Sequence, residues 1–324
     1  MTAPPVSLRN FTPTLHSEPS SQLLPANNPL PHAFSVVVIG ASRGVGAGIA
    51  AAYAKAGATL LFLAARNTDD LASVASSIPP GKTKILTHHC DVSSSASVKA
   101  LAAYVRAQLA EHSLSRLDAC IYNSGFSGQV QLSITDGDPD DGQWETAFDI
   151  NTLGTYRAAH YFVPLIHGEG EQATSDALAP GAFIAVGSFA SLITTGIIAN
   201  SKYCISKFAQ IRVVEHLAEQ FGRGEVEEPG NEGPKRRLLA VSVHPGAVNT
   251  QMARDSCPPE FWSYLTDSPD LCGAFCVWLM RDPERVMWLN GRLLSAKWDP
   301  DELLAKKQEV VEGDLLKFEA VTSK

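Results

Sequence analysis

A tyrosine and a lysine spaced four residues apart carry the clearest chemical signal in this chain of 324 residues. They are Tyr203 and Lys207, and on a helix positions i and i+4 lie on one face with about 5–6 Å between Cβ atoms. An ammonium group at that distance favours the phenolate and lowers the pKa of the phenol. Because a free tyrosine has a pKa of about 10, proton exchange at neutral pH requires about 4 kcal/mol of added preference for the phenolate. The pair predicts an acid/base device.

A glycine-rich turn lies upstream of this pair. The apolar, β-branched run at 35–39 ends at Gly40, and an alanine-rich helical stretch follows at 45–56. Strand, glycine turn and helix in this order predict a phosphate-binding site, where backbone N–H groups and the positive helix end face a pyrophosphate. The residues expected to contact a dinucleotide here are Gly40, Ser42, Arg43, Gly44, Val45 and Gly46.

The end of the second predicted strand indicates which dinucleotide binds. Enzymes that use NAD usually place a carboxylate there to accept a hydrogen bond from the ribose 2′-OH. This chain has Ala64-Ala65-Arg66 instead, and Arg43 is available in the glycine turn. Guanidinium groups form charge-assisted hydrogen bonds with a 2′-phosphate. The sequence therefore predicts NADP(H), with NAD(H) as the less favoured cofactor.

Apolar runs alternate with helical segments along the rest of the chain, which is typical of a parallel sheet covered by helices on both faces. We predict an α/β fold: a single doubly wound, Rossmann-like domain at 34–324 with about seven strands. Further strands are predicted at 59–64, 84–90, 117–122, 183–186, 238–244 and 289–293, and further helices at 68–77, 95–112, 143–165, 200–220 and 269–280.

Three segments lie outside this alternation. Residues 1–33 are rich in Pro, Ser and Asn and predict a non-regular arm, either disordered or held to the surface by Phe11, Leu15 and Leu23. The polar segment at about 222–237 predicts a surface insertion. Helix formers with spaced apolar residues predict one C-terminal amphipathic helix at about 299–317.

Composition excludes several classes of protein. A net charge of −8 argues against nucleic-acid binding, and no apolar run approaches the length needed to span a membrane. The six cysteines show neither C-x-x-C pairs nor metal-ligand spacing, so no metal site is predicted. Cysteines within apolar runs indicate buried free thiols and a reducing, cytoplasmic compartment.

Taken together, these motifs resemble the short-chain dehydrogenase/reductase family in its single-domain form, from about residue 34 to 293. The matching segments, in the family's order, are the glycine turn at 40–46, Cys90-Asp91-Val92, Asn123-Ser124-Gly125, Asn151, Ser188, Tyr203 with Lys207, and Pro245-Gly246-Ala247-Val248-Asn249-Thr250.

The resemblance implies that a hydride passes between a nicotinamide and a carbonyl carbon while Tyr203 exchanges the proton on the oxygen. Lys207 would lower the pKa of Tyr203 and bind the nicotinamide ribose, and Ser188 would hydrogen-bond the reacting oxygen. Asn151 would hold a water that links Lys207 to solvent. The remaining implied dinucleotide contacts are Arg66, Asp91, Val92, Asn123, Val248 and Thr250.

The same resemblance leaves the catalytic serine open. The interval between Ser188 and Tyr203 is longer than the family pattern, so Ser191 competes for the role. Ser188 is preferred because it directly follows the apolar strand.

An apolar cleft is expected beside the acid/base pair, suited to an aromatic or apolar ketone or secondary alcohol. A homodimer or homotetramer is the assembly that the resemblance suggests. The predicted substrate contacts are Ser188, Phe126, Phe189, Ile193, Met252 and Trp262.

Two other functions remain open from the sequence. Gly40-Ala41-Ser42-Arg43-Gly44 also spells the G-x-S-x-G nucleophile elbow of a serine hydrolase, with Ser42 as nucleophile. A non-catalytic module that senses NADP(H) would use the same fold.

Overall fold

The computed structural model describes residues 10–168, 179–222 and 237–320. Within these residues, seven parallel strands form one sheet in the order β3-β2-β1-β4-β5-β6-β7. The predicted α/β, Rossmann-like architecture is confirmed. The strands are β1 (Ser35–Ile39), β2 (Leu60–Ala65), β3 (Lys84–His89), β4 (Ala119–Tyr122), β5 (Gly181–Val186), β6 (Leu238–His244) and β7 (Leu293–Ser295).

Burial explains why these segments read as continuous apolar runs. Every residue of β1, β2, β4 and β5 is buried, because helices cover both faces of the sheet. The edge strand β3 is only partly buried and carries polar residues. The last strand was predicted at 289–293 but forms at Leu293–Ser295, because Met287–Leu289 is a 3₁₀ turn and Gly291 has a φ of +74°.

Two apolar clusters, one on each face of the sheet, form the core. On one face the helix Gly44–Lys55 packs closely against the helix Asp270–Arg281, since a Cβ on Gly273 would lie 2.7 Å from the Ile49 Cα. The helices are α1 (Gly44–Lys55), α2 (Thr68–Ser77), α3 (Ser95–Glu111), α4 (Gln143–Phe148), α5 (Gly154–His167), α6 (Ser201–Phe221), α7 (Gln251–Asp255), α8 (Asp270–Arg281), α9 (Pro283–Val286), α10 (Pro300–Ala305) and α11 (Lys307–Glu312).

Two predicted helices differ from the structure. The segment predicted as one helix at 143–165 contains a π-helical turn at Asp149–Leu153, which separates α4 from α5. Such turns are frequent at functional sites. In place of one C-terminal helix at 299–317, the chain forms α10 and α11, with Lys306 between them and Gly313 after them.

The described part of the N-terminal arm packs against the domain. The Phe11 ring lies 5.0 Å from the Trp298 ring, and Leu15 pairs with Trp298 in an antiparallel bridge. Leu23 is fully buried, and the Leu30 N–H donates to the Ala56 carbonyl at 3.0 Å. Of the two possibilities left open by the sequence, residues 10–33 therefore take the packed one.

The insertion expected at 222–237 lies largely outside the described residues, which include only its two ends, Gly222 and Arg237. Among the helices that the structure describes, none combines the length and hydropathy that a membrane span requires.

The packing of the arm predicts that two neighbouring leucines contribute differently to stability. Leu23→Ala removes a fully buried side chain and should lower the free energy of unfolding by about 2–5 kcal/mol. Its neighbour Leu24 is 37% exposed, so Leu24→Ala should cost well under that. Urea unfolding of both variants measures the difference, and equal losses would contradict the packing of the arm.

Candidate active site

An elongated cleft of about 1250 Å³ opens at the carboxyl ends of the strands. The strand order reverses between β1 and β4, and in open α/β sheets ligands bind beside such a switch point. The loops after β1, β2, β3, β4, β5 and β6 all contribute to the walls. One cleft therefore brings together segments that are distant in the sequence.

The glycine turn after β1 is built for close backbone approach. Gly40 has a φ of +92°, and a Cβ there would lie 2.6 Å from the Ser124 nitrogen. A Cβ on Gly46 would lie 2.0 Å from the Gly40 carbonyl oxygen, which also accepts a hydrogen bond from Asn123 Nδ2 at 2.7 Å. Gly46 thus allows α1 to pack behind the turn, whereas Gly40 and Gly44 line the cleft. The turn fits a pyrophosphate.

Positive charge lines the same end of the cleft. Arg43 stands immediately before α1, and Arg66 directly follows β2. Asn67 caps α2 by accepting hydrogen bonds from two backbone nitrogens. Neither Arg66 nor Asn67 supplies a carboxylate at the strand end, as the sequence predicted.

Asp91 follows β3 at the same end. Burial raises its pKa, but hydrogen bonds from Ser93 and the nearby Arg66 outweigh burial, so the pKa of Asp91 lies below its usual value. Val92 and Asn123 also line the cleft, as do Val248 and Thr250 from the segment after β6. All of the predicted dinucleotide contacts except Gly46, which lies behind the turn, therefore line this one cleft.

The phenol of Tyr203 and the hydroxyl of Ser188 both line the cleft and lie close enough for the Ser188 hydroxyl to lower the pKa of the phenol. Ser188 follows β5, and its Oγ also accepts from the Ala190 N–H at 3.1 Å. Ser191 instead donates to the Ser188 carbonyl at 2.7 Å. Of the two candidate serines, Ser188 is the one that lines the cleft and acts on the pKa of the phenol.

Lys207 lies beneath Tyr203 in a set of buried hydrogen bonds. Its side chain donates to the Val186 carbonyl at 2.9 Å and to Gln210 Oε1 at 2.8 Å. Its Nζ lies 5.9 Å from the centre of the Tyr203 ring. The two groups predicted from their spacing therefore share one helix face and one cleft.

The Asn151 side chain joins the loop after β4 to α6. Its amide group donates to the Phe126 carbonyl at 2.7 Å and to Ser206 Oγ at 2.9 Å, and its Oδ1 accepts from the Phe126 N–H at 2.8 Å. Asn151 is fully buried in the π-helical turn. These contacts hold the loop after β4 against α6.

Burial sets the pKa values of the pair in a direction that the sequence did not predict. Burial raises the pKa of Tyr203 to about 12, although the Ser188 hydrogen bond opposes this. Burial lowers the pKa of Lys207 to about 7. We expected Lys207 to lower the pKa of Tyr203, but both charged forms lose hydration here, so the protein groups alone favour the neutral pair.

The apolar part of the cleft contains only some of the predicted substrate contacts. Phe189 stacks on His244 with ring centres 4.3 Å apart, and Ile193 and Met252 line the same wall. Phe126 packs against one of the two core clusters, the one that contains Tyr122. Trp262 is 42% exposed, with the Arg254 guanidinium 5.7 Å from its ring. The last two lie outside the cleft lining because both pack elsewhere.

Some lining residues gave no signal in the sequence. Leu15 of the arm and Lys297 after β7 both border the cleft. Lys297 pairs with the buried Asp267, whose Oδ2 accepts from the Ala247 N–H. Only the folded chain brings these ends to the site, since no local spacing connects them.

Comparison with known proteins identifies the family. The model described as short chain dehydrogenase matches residues 35–260, which include the glycine turn, Ser188, Tyr203 and Lys207. The chain belongs to the short-chain dehydrogenases. The resemblance stated from the motifs is confirmed, and with it membership of an oxidoreductase family.

Two fungal short-chain dehydrogenases are similar to this one over nearly their whole length. "Short chain dehydrogenase pgmD" of Aspergillus terreus is 33% identical over 317 residues, covering 95% of this chain and 93% of the relative. "Short chain dehydrogenase mpl6" of Monascus purpureus is 33% identical over 297 residues, covering 90% and 89% respectively.

Solved structures share the fold. A short-chain dehydrogenase from Shigella flexneri, described as complexed with NADP, is 25% identical with a TM-score of 0.66, covering 83% of this chain and 99% of that one. A 7α-hydroxysteroid dehydrogenase complexed with NADH is 19% identical with a TM-score of 0.66, covering 83% and 94%.

The lowered pKa of Lys207 predicts how stability depends on pH in this short-chain dehydrogenase. Between pH 7 and 10 the unfolded chain binds a proton at this lysine that the folded protein has released, so the free energy of unfolding should rise with pH. The difference in the free energy of unfolding between the wild type and Lys207→Met should increase by about 1.4 kcal/mol per pH unit.

Urea unfolding of the two proteins at pH 7, 8 and 9 measures this slope. Lys99 is exposed, and Lys99→Met is the control that should run parallel to the wild type. Parallel curves for Lys207→Met as well would show that Lys207 keeps an ordinary pKa.

Proposed function

We propose that this chain is an NADP-dependent oxidoreductase that interconverts a ketone and a secondary alcohol on an apolar or aromatic small molecule. The observation that carries the proposal is the placement of the Tyr203 phenol near the Ser188 hydroxyl, beside the buried Lys207 and in the cleft that the glycine turn borders. A proton donor, a hydrogen-bond donor for the same oxygen and a cation are the groups that carbonyl reduction requires.

Each group has a distinct role in this proposal. Tyr203 gives its proton to the substrate oxygen in reduction and takes it back in oxidation. Ser188 donates a hydrogen bond to that oxygen and stabilises the charge that develops there, an effect often worth about 3–4 kcal/mol. Lys207 in its charged form favours the phenolate left on Tyr203. Asn151 holds the loop after β4 against α6, the helix that carries Tyr203 and Lys207.

Bound NADP(H) supplies or accepts the hydride. Its pyrophosphate would be held by the turn that contains Gly40, Ser42 and Gly44, and its nicotinamide end by Val248 and Thr250. The position of the turn supports this assignment, because it stands at the N-terminus of α1 and its residues Gly40, Ser42 and Gly44 line the cleft.

The preference for NADP(H) is supported by charge. Arg43 and Arg66 border the cleft where β2 ends, and each can hydrogen-bond a 2′-phosphate. The Shigella flexneri structure described as an NADP complex is similar over 83% of this chain. The steroid dehydrogenase that is described with NADH shows that the same fold also takes the other cofactor, so the charge of these residues is the deciding feature.

The lining on the substrate side supports an apolar substrate. Phe189, Ile193 and Met252 stand along the cleft with Ile197 and Phe261. Apolar walls with one polar cluster favour ligands that carry a single carbonyl on an otherwise apolar body.

The two alternative functions have less support. A sensor has no need of the Ser188–Tyr203 contact above a buried lysine, and the family is one of oxidoreductases. A serine hydrolase would need Ser42 as an activated nucleophile, whereas Ser42 lies in the turn that fits a pyrophosphate.

We also propose a cytoplasmic location and a homodimer or homotetramer. The six cysteines are free and buried, which suits a reducing compartment. Exposed apolar residues on the helices that carry Asn151 and Tyr203 offer a surface for a second copy; they are Leu153, Tyr156, Ile205 and Phe208.

Removal of the phenolic hydroxyl tests the chemistry. Tyr203→Phe should lower turnover of an aromatic ketone by at least about a hundredfold while NADPH binding stays near wild type, because only the proton donor is lost. NADPH consumption at 340 nm and NADPH fluorescence titration measure the two effects. Turnover at the wild-type rate would refute the assignment of Tyr203.

A change of charge at the strand end tests the cofactor. Arg66→Asp removes a partner of the 2′-phosphate and adds a carboxylate that can accept from a ribose 2′-OH, so the ratio of Kd values should shift toward NADH by at least about tenfold. Lys99→Asp makes the same charge change on α3, away from the cleft, and should leave the ratio unchanged. An unaltered ratio in Arg66→Asp would show that Arg66 does not select the cofactor.

A further inference from the structure

A chain of buried polar side chains runs from Lys207 into the interior. Lys207 donates to Gln210 Oε1 at 2.8 Å, and Gln210 Nε2 donates to Thr155 Oγ1 at 2.8 Å. Thr155 Oγ1 in turn donates to the Asn151 carbonyl at 2.8 Å. Gln210, Thr155 and Asn151 are all fully buried, and Lys207 is only 3% exposed. Nothing in the motif pattern pointed to Gln210 or Thr155.

The hydrogen-bond types fix the direction of this chain. A backbone carbonyl only accepts, so the Thr155 hydroxyl must give its proton to Asn151 and can only accept from Gln210. The Gln210 amide must therefore turn its N–H toward Thr155 and its oxygen toward Lys207. A reversed amide would place its donors against the donors of the ammonium group and leave the Thr155 contact unpaired. The fold thus presents an acceptor to Lys207.

We propose that Gln210, oriented by Thr155, is a positioning residue for Lys207: it holds Nζ in place below Tyr203 and favours the charged form of the amine. The proposal rests on the proposed function for its consequence in catalysis. Gln210 touches neither the phenol nor the cleft, so it acts only through Lys207. The Val186 carbonyl is the second protein acceptor that Lys207 uses.

This chain is an addition to what the family resemblance implies. The resemblance implies a water held at Asn151 that connects Lys207 with solvent. Two side chains also connect Lys207 to the Asn151 carbonyl. A carboxamide oxygen accepts a hydrogen bond but does not readily pass a proton onward, so this path positions the lysine rather than conducting protons.

The groups around Lys207 leave the stabilisation of its charged form to carbonyl oxygens, one of which belongs to Gln210. The groups that face it are the Tyr203 phenol on α6, the Val186 carbonyl on β5, Gly125 after β4, and Gln210 itself; a Cβ on Gly125 would lie 3.7 Å from Nζ. None of these four carries a negative charge at neutral pH. Carbonyl oxygens must therefore compensate for lost hydration of the ammonium group.

Lysine labelled with ¹³C at Cε allows the titration of Lys207 to be followed by NMR in the protein alone, with Lys207→Arg assigning the resonance. Gln210→Met keeps the shape but removes the acceptor, so the titration midpoint should fall by about one pH unit. Gln210→Glu should raise the midpoint, because a carboxylate replaces the amide oxygen. Thr155→Ser keeps the hydroxyl and is the matched control with a wild-type midpoint.

A wild-type midpoint in Gln210→Met overturns the proposal; if that variant does not fold, a wild-type midpoint in Gln210→Glu does so. Turnover of an aromatic ketone with NADPH should also be measured against pH. The pH at which turnover of Gln210→Met falls on the alkaline side should be about one unit lower than in the wild type. The NMR titration needs no dinucleotide or substrate. Failure of the Tyr203→Phe test and failure of this one are therefore separate results.

Discussion

The burial of one lysine amine governs the architecture of this site. Lys207 is only 3% exposed, and loss of hydration disfavours its charged form. Two oxygens oppose that cost: the Val186 carbonyl at the end of β5 and the carboxamide of Gln210 one turn along α6. The contact with Val186 exists only if α6 packs against β5 in one register, whereas Gln210 lies three residues after Lys207 on the same helix. The position of Lys207 beside Tyr203 therefore depends on how α6 packs on the sheet.

The parts of the site that depend on local sequence were predictable. The spacing of Tyr203 and Lys207 places them on one helix face, and Gly40 ends a buried strand in a turn that a side chain would obstruct. The alternation of apolar runs and helices was sufficient for the fold class, because a parallel sheet requires strands that are buried on both faces. The last strand was displaced, and the helices predicted at 143–165 and 299–317 were each divided.

The parts that depend on distant contacts were not predictable. Phe126 and Trp262 are aromatic and close in sequence to site residues, yet the fold turns them toward other partners. The direction of the pKa shift at Tyr203 depends on burial, which spacing does not reveal. Gln210 could have been noticed, since it lies three residues after Lys207 on the same helix, but its link to Thr155 appears only when α5 and α6 meet.

Residues before and after the segment that the family model matches pack together and border the cleft. The family match covers residues 35–260, whereas the similarity to pgmD covers 95% of the chain and so extends beyond that segment. The arm and the region after β7 contact each other through Phe11 and Trp298, and Leu15 and Lys297 border the cleft. Residues outside the segment that the family model matches therefore border the cleft.

The most direct test of the account follows the hydride itself. NADPH carrying deuterium at both hydrogen positions of nicotinamide C4 would be mixed with an excess of the wild-type protein and a set of aromatic and apolar ketones, and the products analysed by mass spectrometry. The account predicts a secondary alcohol with one deuterium on its carbinol carbon. The absence of a deuterated alcohol for every ketone in the set would contradict it.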